Sequence, residues 1–141
     1  MKILIVEDEA ITALSMEATL QDHGHEVVAI ADDESSAIRA AAEHTPELAL
    51  VDMRLSRGDC GLSVARHLRE RGVVVVFATG NCPGQDLGNL ALGCLHKPIS
   101  DDQLVRSLVV AEARARQVGN PPPPPPGMHL FAQDDASHPQ G

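Results

Sequence analysis

Four short apolar runs recur along the chain, at residues 3–6, 48–51, 73–78 and 94–96, and each stops at a residue that can bind or stabilise an anion or a cation. The first runs into Glu7 and Asp8, the second into Asp52, the third into Thr79 and the fourth into Lys97. Continuous runs of Val, Ile and Leu separated by helix-length segments read as strands buried on both faces, the pattern of a parallel sheet with crossover helices. A fifth strand is expected at residues 26–30. Parallel strands point one way, so the residues that follow them collect along one edge of the sheet, where open α/β folds place their ligands.

The segments between the runs carry helix signals. Residues 9–23 read as a helix closed by Gly24, and a second helix, capped by Asp32 or Asp33, runs to about residue 44 before Pro46. A third spans residues 62–71 and stops at Gly72. Ser100 with Gln103 forms a capping box for the last, which runs to about residue 118. Between them, residues 82–93 carry Pro83, Gly84 and Gly88, and an interior Gly costs about 1 kcal/mol relative to Ala, so this fourth helix is expected to be short or frayed. Five β-α repeats follow, an α/β sheet with five flanking helices.

In the first helix Ile11, Leu14 and Ala18 share one stripe, assigned to the sheet, while Ala13, Met16 and Leu20 lie on nearly the opposite side. That second stripe needs a partner, which makes Met16 and Leu20 the candidate docking residues. Residues 1–118 form one domain, large enough to bury roughly 65% of its unfolded surface. Residues 119–141 are a Pro-rich linker and tail: six prolines at 121–126, a polyproline II rod of roughly 19 Å, precede Met128, Leu130 and Phe131. Two readings of this apolar cluster stand side by side: it packs on the face made by the fourth helix, fifth strand and fifth helix, in its own chain or in a neighbour, the latter giving a homodimer, or the tail stays disordered and solvated. The tail is too short to form an output domain.

The balance of charge is acidic, 20 Asp and Glu against 11 Lys and Arg for a net of -9, with no basic cluster to neutralise phosphates along a duplex, so nucleic acid is not expected as a partner. Cys60, Cys82 and Cys94 are odd in number and lack a C-x-x-C spacing. They read as small thiols in a reducing cytosol, without a disulfide framework. Only four apolar residues follow Met1 and Lys2, too few for a signal peptide or a membrane span, which places the protein in the cytoplasm without a membrane partner.

Converging carboxylates repel one another unless a cation sits among them. Hard oxygen donors select Mg2+, with Asp8 and Asp52 as direct ligands, Glu7 through water and the Arg54 carbonyl as a further ligand. Asp52, alone at the end of its strand, is the candidate nucleophile, since carboxylates accept phosphoryl groups. Lys97 and the Thr79 hydroxyl are placed to stabilise phosphoryl oxygens, and Gly80 leaves the approach open.

Glu7 with Asp8, then Asp52, Thr79 with Gly80, and Lys97 with Pro98 resemble, in order and spacing, the bacterial response-regulator receiver domain over residues 1–118. The resemblance implies the flavodoxin-like doubly wound five-stranded parallel sheet in the order 2-1-3-4-5. It also implies transfer of a phosphoryl group to Asp52 from a phosphohistidine of a sensor histidine kinase or phosphotransfer protein, a cis Lys97–Pro98 bond, and a switch built on Thr79, Pro98 and the position of Cys94, where the family usually has an aromatic. The run Phe77, Ala78, Thr79, Gly80 looks like the FATGUY group of receivers, although Asn81 and Cys82 stand where a Tyr is usual. Two other classes compete: a hydrolase of the haloacid-dehalogenase type, which wants an Asp where Arg54 stands, and a phosphorylation-independent adaptor working through the tail.

Overall fold

The computed structural model of the protein describes residues 1–132. Its elements are β1 (Lys2–Val6), α1 (Ala10–Asp22), β2 (Glu26–Ala31), α2 (Glu34–His44), β3 (Leu48–Val51), a 3-10 turn (Ser56–Gly58), α3 (Gly61–Glu70), β4 (Val74–Thr79), β5 (Gly93–His96), α4 (Asp101–Ala115) and β6 (Met128–Leu130). The first five strands pair in parallel in the order β2-β1-β3-β4-β5, the flavodoxin-like order, and β6 adds antiparallel to the outer edge of β5. All four residues of β3 are buried, as continuous apolar runs covered on both faces require. One core lies between the sheet and α2 and α3, with Leu4, Val51, Leu68 and Phe77. The other lies under α1 and α4, with Ile3, Ile5, Leu20, Leu50 and Leu108.

Local chemistry fixes the helix boundaries. Ser36 N–H donates to Asp33 Oδ1 (2.8 Å) at the start of α2, and at the start of α4 Gln103 N–H donates to Ser100 Oγ (3.1 Å) while Ser100 N–H donates to Gln103 Oε1 (2.9 Å). Gly24 and Gly72, at φ +87° and +80°, turn the chain after α1 and α3. Among the described residues no helix is long and apolar enough to cross a membrane.

Four expectations change. Residues 82–92 form bends and a turn rather than a helix, so among the described residues four α-helices, not five, flank the sheet; Pro83 and the glycines remove the propensity that a helix there would need. The last helix ends at Ala115. The α1 stripes are exchanged: Ala13, Met16 and Leu20 are buried against the sheet, whereas Ile11 is 81% and Leu14 57% exposed. With two apolar stripes of similar size, the helix has no dominant face of its own, and packing over Ile3, Ile5 and Leu50 decides. Met16 and Leu20 are therefore core residues and not a surface. Finally, Cys82 and Cys94 form a disulfide, leaving Cys60 as the exposed free thiol. Pairing across 12 residues becomes possible because the 80–92 segment folds back over β5 instead of rising away as a helix.

The tail as far as residue 132 is taken into the sheet of its own chain, and residues 133–141 lie outside the described residues. Gln103 Nε2 donates to the Pro126 carbonyl (2.8 Å), Gly127 turns the chain at φ +87°, and β6 then runs back along β5. His96 N–H donates to Gly127 O and Phe131 N–H to Leu92 O, each at 2.9 Å. Met128 is buried on the α1 and α4 side, and Phe131 is buried on the opposite side with Phe77, Ala91 and Cys94. Gly93 is required for this pairing, since a Cβ there would lie 2.4 Å from the His129 carbonyl oxygen. Gly93→Val is expected to expel β6, so that the His96 and Phe131 amides lose protection in hydrogen exchange; unchanged protection at both would refute the pairing. Phe131→Ala is expected to lower stability by about 3 kcal/mol in denaturant unfolding.

Candidate functional site

Parallel pairing aligns Val6 with Val51, Val51 with Phe77, and Thr79 with His96, which brings Glu7, Asp52, Thr79 and Lys97 to one edge of the sheet. The ladder continues past the strand ends: Asp52 N–H donates to Val6 O and Lys97 N–H to Thr79 O, both at 2.9 Å. The side chains therefore start from backbone that is already fixed. Lys97 Nζ donates to Glu7 Oε1 (2.6 Å) and to Asp52 Oδ2 (2.9 Å), joining the ends of β1, β3 and β5. The remaining oxygens are also engaged. Glu9 N–H donates to Glu7 Oε2 (3.1 Å), Arg54 N–H to Asp52 Oδ1 (3.4 Å) and Asn81 N–H to Thr79 Oγ1 (3.2 Å).

Burial pushes the Asp52 carboxyl up, but the Lys97 ammonium, the Thr79 hydroxyl and the Arg54 N–H together outweigh it, so Asp52 sits below the usual carboxylate range. Glu7 goes the other way. Burial raises it, the Asp52 charge adds to the rise, and the Lys97 and Glu9 contacts do not cancel them. Burial lowers the Lys97 amine, yet its two carboxylate partners hold it above the ordinary lysine range. The edge thus presents an ionised Asp52 with a fixed cation beside it.

Glu7, Asp8 and Asp52 each offer a carboxylate oxygen, and these oxygens lie within 4.8 Å of one another. Such an all-oxygen donor set fits a hard divalent cation and not a soft one. Together with Arg54, Thr79 and Lys97 the three acids line an open cleft of about 420 Å³. Asp8 is exposed at its rim, and Gly80 faces open space. Arg54 stands at the rim too, bridged to Cys60 across the 3-10 turn. The hydrolase reading has no second acid there.

Pro98 follows a cis peptide bond, as the resemblance implied. Cys94, at the expected switch position, is fully buried and disulfide-bonded. Met16 forms part of a second cavity, of about 550 Å³, between α1 and α4; Ile11, Pro98, Ile99 and Leu104 also line it, and it opens beside Lys97. Leu20 lies outside it, in the core. Sequence reasoning missed Gly61, whose missing Cβ would lie 2.2 Å from the Asp52 carbonyl oxygen and whose N–H donates to Met53 O (2.8 Å). A glycine at the first position of a helix, where nothing in the turn needs one, was the available signal for close backbone approach.

The sequence matches the profile of the response regulator receiver domain over residues 3–109. The chain belongs to that family. Receiver domains of solved structure share the fold: that of a modulated diguanylate cyclase from Desulfovibrio desulfuricans is 28% identical, with a TM-score of 0.70 over 82% of this chain and 96% of the other. The receiver domain of the PhyR response regulator from Erythrobacter litoralis is 25% identical, with a TM-score of 0.68 over 86% and 94% of the two chains. Among curated relatives, the transcriptional regulatory protein PdtaR of Mycobacterium tuberculosis is 27% identical over 83% of this chain and 59% of its own length. The two-component response regulator PhoP of Pseudomonas aeruginosa is 34% identical over 82% of this chain and 49% of its own. The chain thus spans about half the length of the curated relatives it matches.

Removing the amine tests the electrostatics of this receiver site directly. In Lys97→Met, burial and the repulsion between the two carboxylates are left unopposed, so the carboxyl pKa values of both Asp52 and Glu7 should rise. Carboxyl-carbon NMR titration without added metal measures this, and an unchanged or lower Asp52 value would contradict it.

Proposed function

We propose that this receiver domain accepts a phosphoryl group on Asp52 from a phosphohistidine of a sensor histidine kinase or phosphotransfer protein, and so carries a two-component signal. The observation that supports it best is the state of Asp52: ionised, nearly buried, and held by Lys97 in a cleft that Glu7, Asp8 and Glu9 also line. In the transfer, an Asp52 carboxylate oxygen forms a bond to phosphorus while the phosphorus–nitrogen bond of the donor breaks and the imidazole leaves. Lys97 meets the charge on the phosphoryl oxygens from one side, and the Thr79 hydroxyl can donate to them from another. Gly80 keeps the approach free of side chain. Glu7, Asp8 and Asp52 would hold Mg2+, with the Arg54 carbonyl beside them, and the bound ion would supply the positive charge that lets a second anion enter an acidic cleft.

We assign donor recognition to α1 and the turn after β5. The cavity beside Lys97 is lined mainly by apolar side chains, and Ile11 and Leu14 present an exposed apolar flank on the same helix. An amphipathic helix of a histidine-bearing partner fits such a groove.

Acetyl phosphate should label the protein only with Mg2+ present, and EDTA should abolish labelling. Asp52→Asn should take no label. Asp8→Ala and Lys97→Ala should slow labelling by about 10² to 10³, the scale of losing one electrostatic stabiliser. Label retained in Asp52→Asn would refute the acceptor.

A second measurement separates docking from chemistry. Leu14→Glu should slow transfer from a phosphorylated kinase far more than labelling by acetyl phosphate, because only the protein donor uses the α1 flank. Equal loss with both donors, or no loss with either, would remove α1 from the docking surface.

A further inference from the structure

Cys82 follows Thr79 by three residues and Cys94 precedes Lys97 by three. Their disulfide therefore closes residues 82–94 into a ring, and the hydroxyl and the amine of the site stand three residues outside its two ends. Within the ring, order comes from turns: Leu90 and Ala91 N–H both donate to Leu87 O, and Gly88 N–H donates to Asp86 Oδ1. Asn81, next to Cys82 and just outside the ring, donates its N–H to Thr79 Oγ1, so the position of the ring bears on the hydroxyl that faces Asp52. Cys82 is partly exposed, whereas Cys94 is fully buried. One sulfur is thus open to attack and the other is a sheltered leaving group.

We propose that the Cys82–Cys94 disulfide is a reversible redox element that sets the freedom of the 80–92 loop and, through Asn81 and Thr79, the reactivity of the site. Its effect on phosphoryl transfer rests on the reading of Asp52 as the acceptor. A dithiol reductant opens it: one thiolate of the reductant attacks Cys82 Sγ, the sulfur–sulfur bond breaks, and Cys94 leaves as a thiolate that takes up a proton. The second thiol of the reductant then attacks the mixed disulfide and releases Cys82 as a thiol, leaving the reductant as a disulfide. The protein has gained two electrons and two protons. Reoxidation runs the same exchange backwards with a disulfide oxidant. With the ring open, the loop can move, and with it the Asn81 N–H that holds Thr79 Oγ1, so the hydroxyl is free to turn its hydrogen toward an incoming phosphoryl oxygen.

The test uses the full chain carrying Cys60→Ser, so that the exposed thiol does not report. Alkylation with N-ethylmaleimide in denaturant, followed by intact-mass measurement, should add no label to the oxidised protein and two labels to protein first treated with dithiothreitol. Amides of residues 80–92 should exchange at least about tenfold faster in the reduced state, and the Thr79 and Lys97 amide resonances should shift between states. Labelling by acetyl phosphate with Mg2+ should be severalfold faster in the reduced protein, and Cys82→Ser should match that rate in either redox buffer. Two labels on the oxidised protein, equal loop exchange, unmoved Thr79 and Lys97 resonances, or equal labelling rates would each overturn the proposal. If neither redox state takes label, the Asp52 reading fails, while alkylation, exchange and the Thr79 shift still decide the redox element.

Discussion

Two carboxylates on neighbouring strands, Glu7 and Asp52, sit almost out of water, and they stay together only because a cation reaches both. Lys97 is that cation, and it comes from the far side of β4. The requirement propagates through the sheet. For Lys97 to reach the end of β1, β5 must lie parallel beside β4 and in register with it, and the bond from Lys97 N–H to Thr79 O extends that register one step past the strand. The electrostatics of the edge and the topology of the sheet are one constraint: a slipped β5 would strand two buried charges.

That places unusual weight on β5, a four-residue strand with no helix packed between it and β4. Cover comes from three sources with little regular structure of their own. Leu87, Leu90 and Ala91 lie over it from the loop, the disulfide pins that loop down, and the chain's own C-terminal segment supplies a sixth strand and the Phe131 ring. Main-chain pairing on the outer edge satisfies groups that would otherwise face water at the end of the sheet. A receiver fold can thus hold its acidic edge in register with a helix replaced by a staple and a strap.

How much of this was legible follows from where the information lies. Strands β1, β3 and β4 announced themselves because burial on both faces leaves continuous apolar runs, and Asp52, Thr79 and Lys97 were legible because they stand directly after such runs. The two α1 stripes were not separable, since Ile11 with Leu14 and Met16 with Leu20 carry similar apolar weight, and only the packing over Ile3, Ile5 and Leu50 distinguishes them. Cys82 and Cys94 lack a spacing that marks a disulfide; their meeting depends on a loop conformation where the β-α alternation pointed to a short helix. Gly61 and Gly93 matter for a side chain they lack, against backbone distant in sequence.

The ring closed by Cys82 and Cys94 also alters what a broken chain would mean. Exposed loop tips with small and polar residues are where proteases cut, and Gly84 to Asp86 is such a stretch. A nick there in the oxidised protein would leave Thr79 and Lys97 on two fragments still joined covalently through sulfur, three residues from each. In the reduced protein the same nick would leave the pieces held by sheet hydrogen bonds and core packing alone. The bond therefore decides whether this receiver, once cut, is still one molecule.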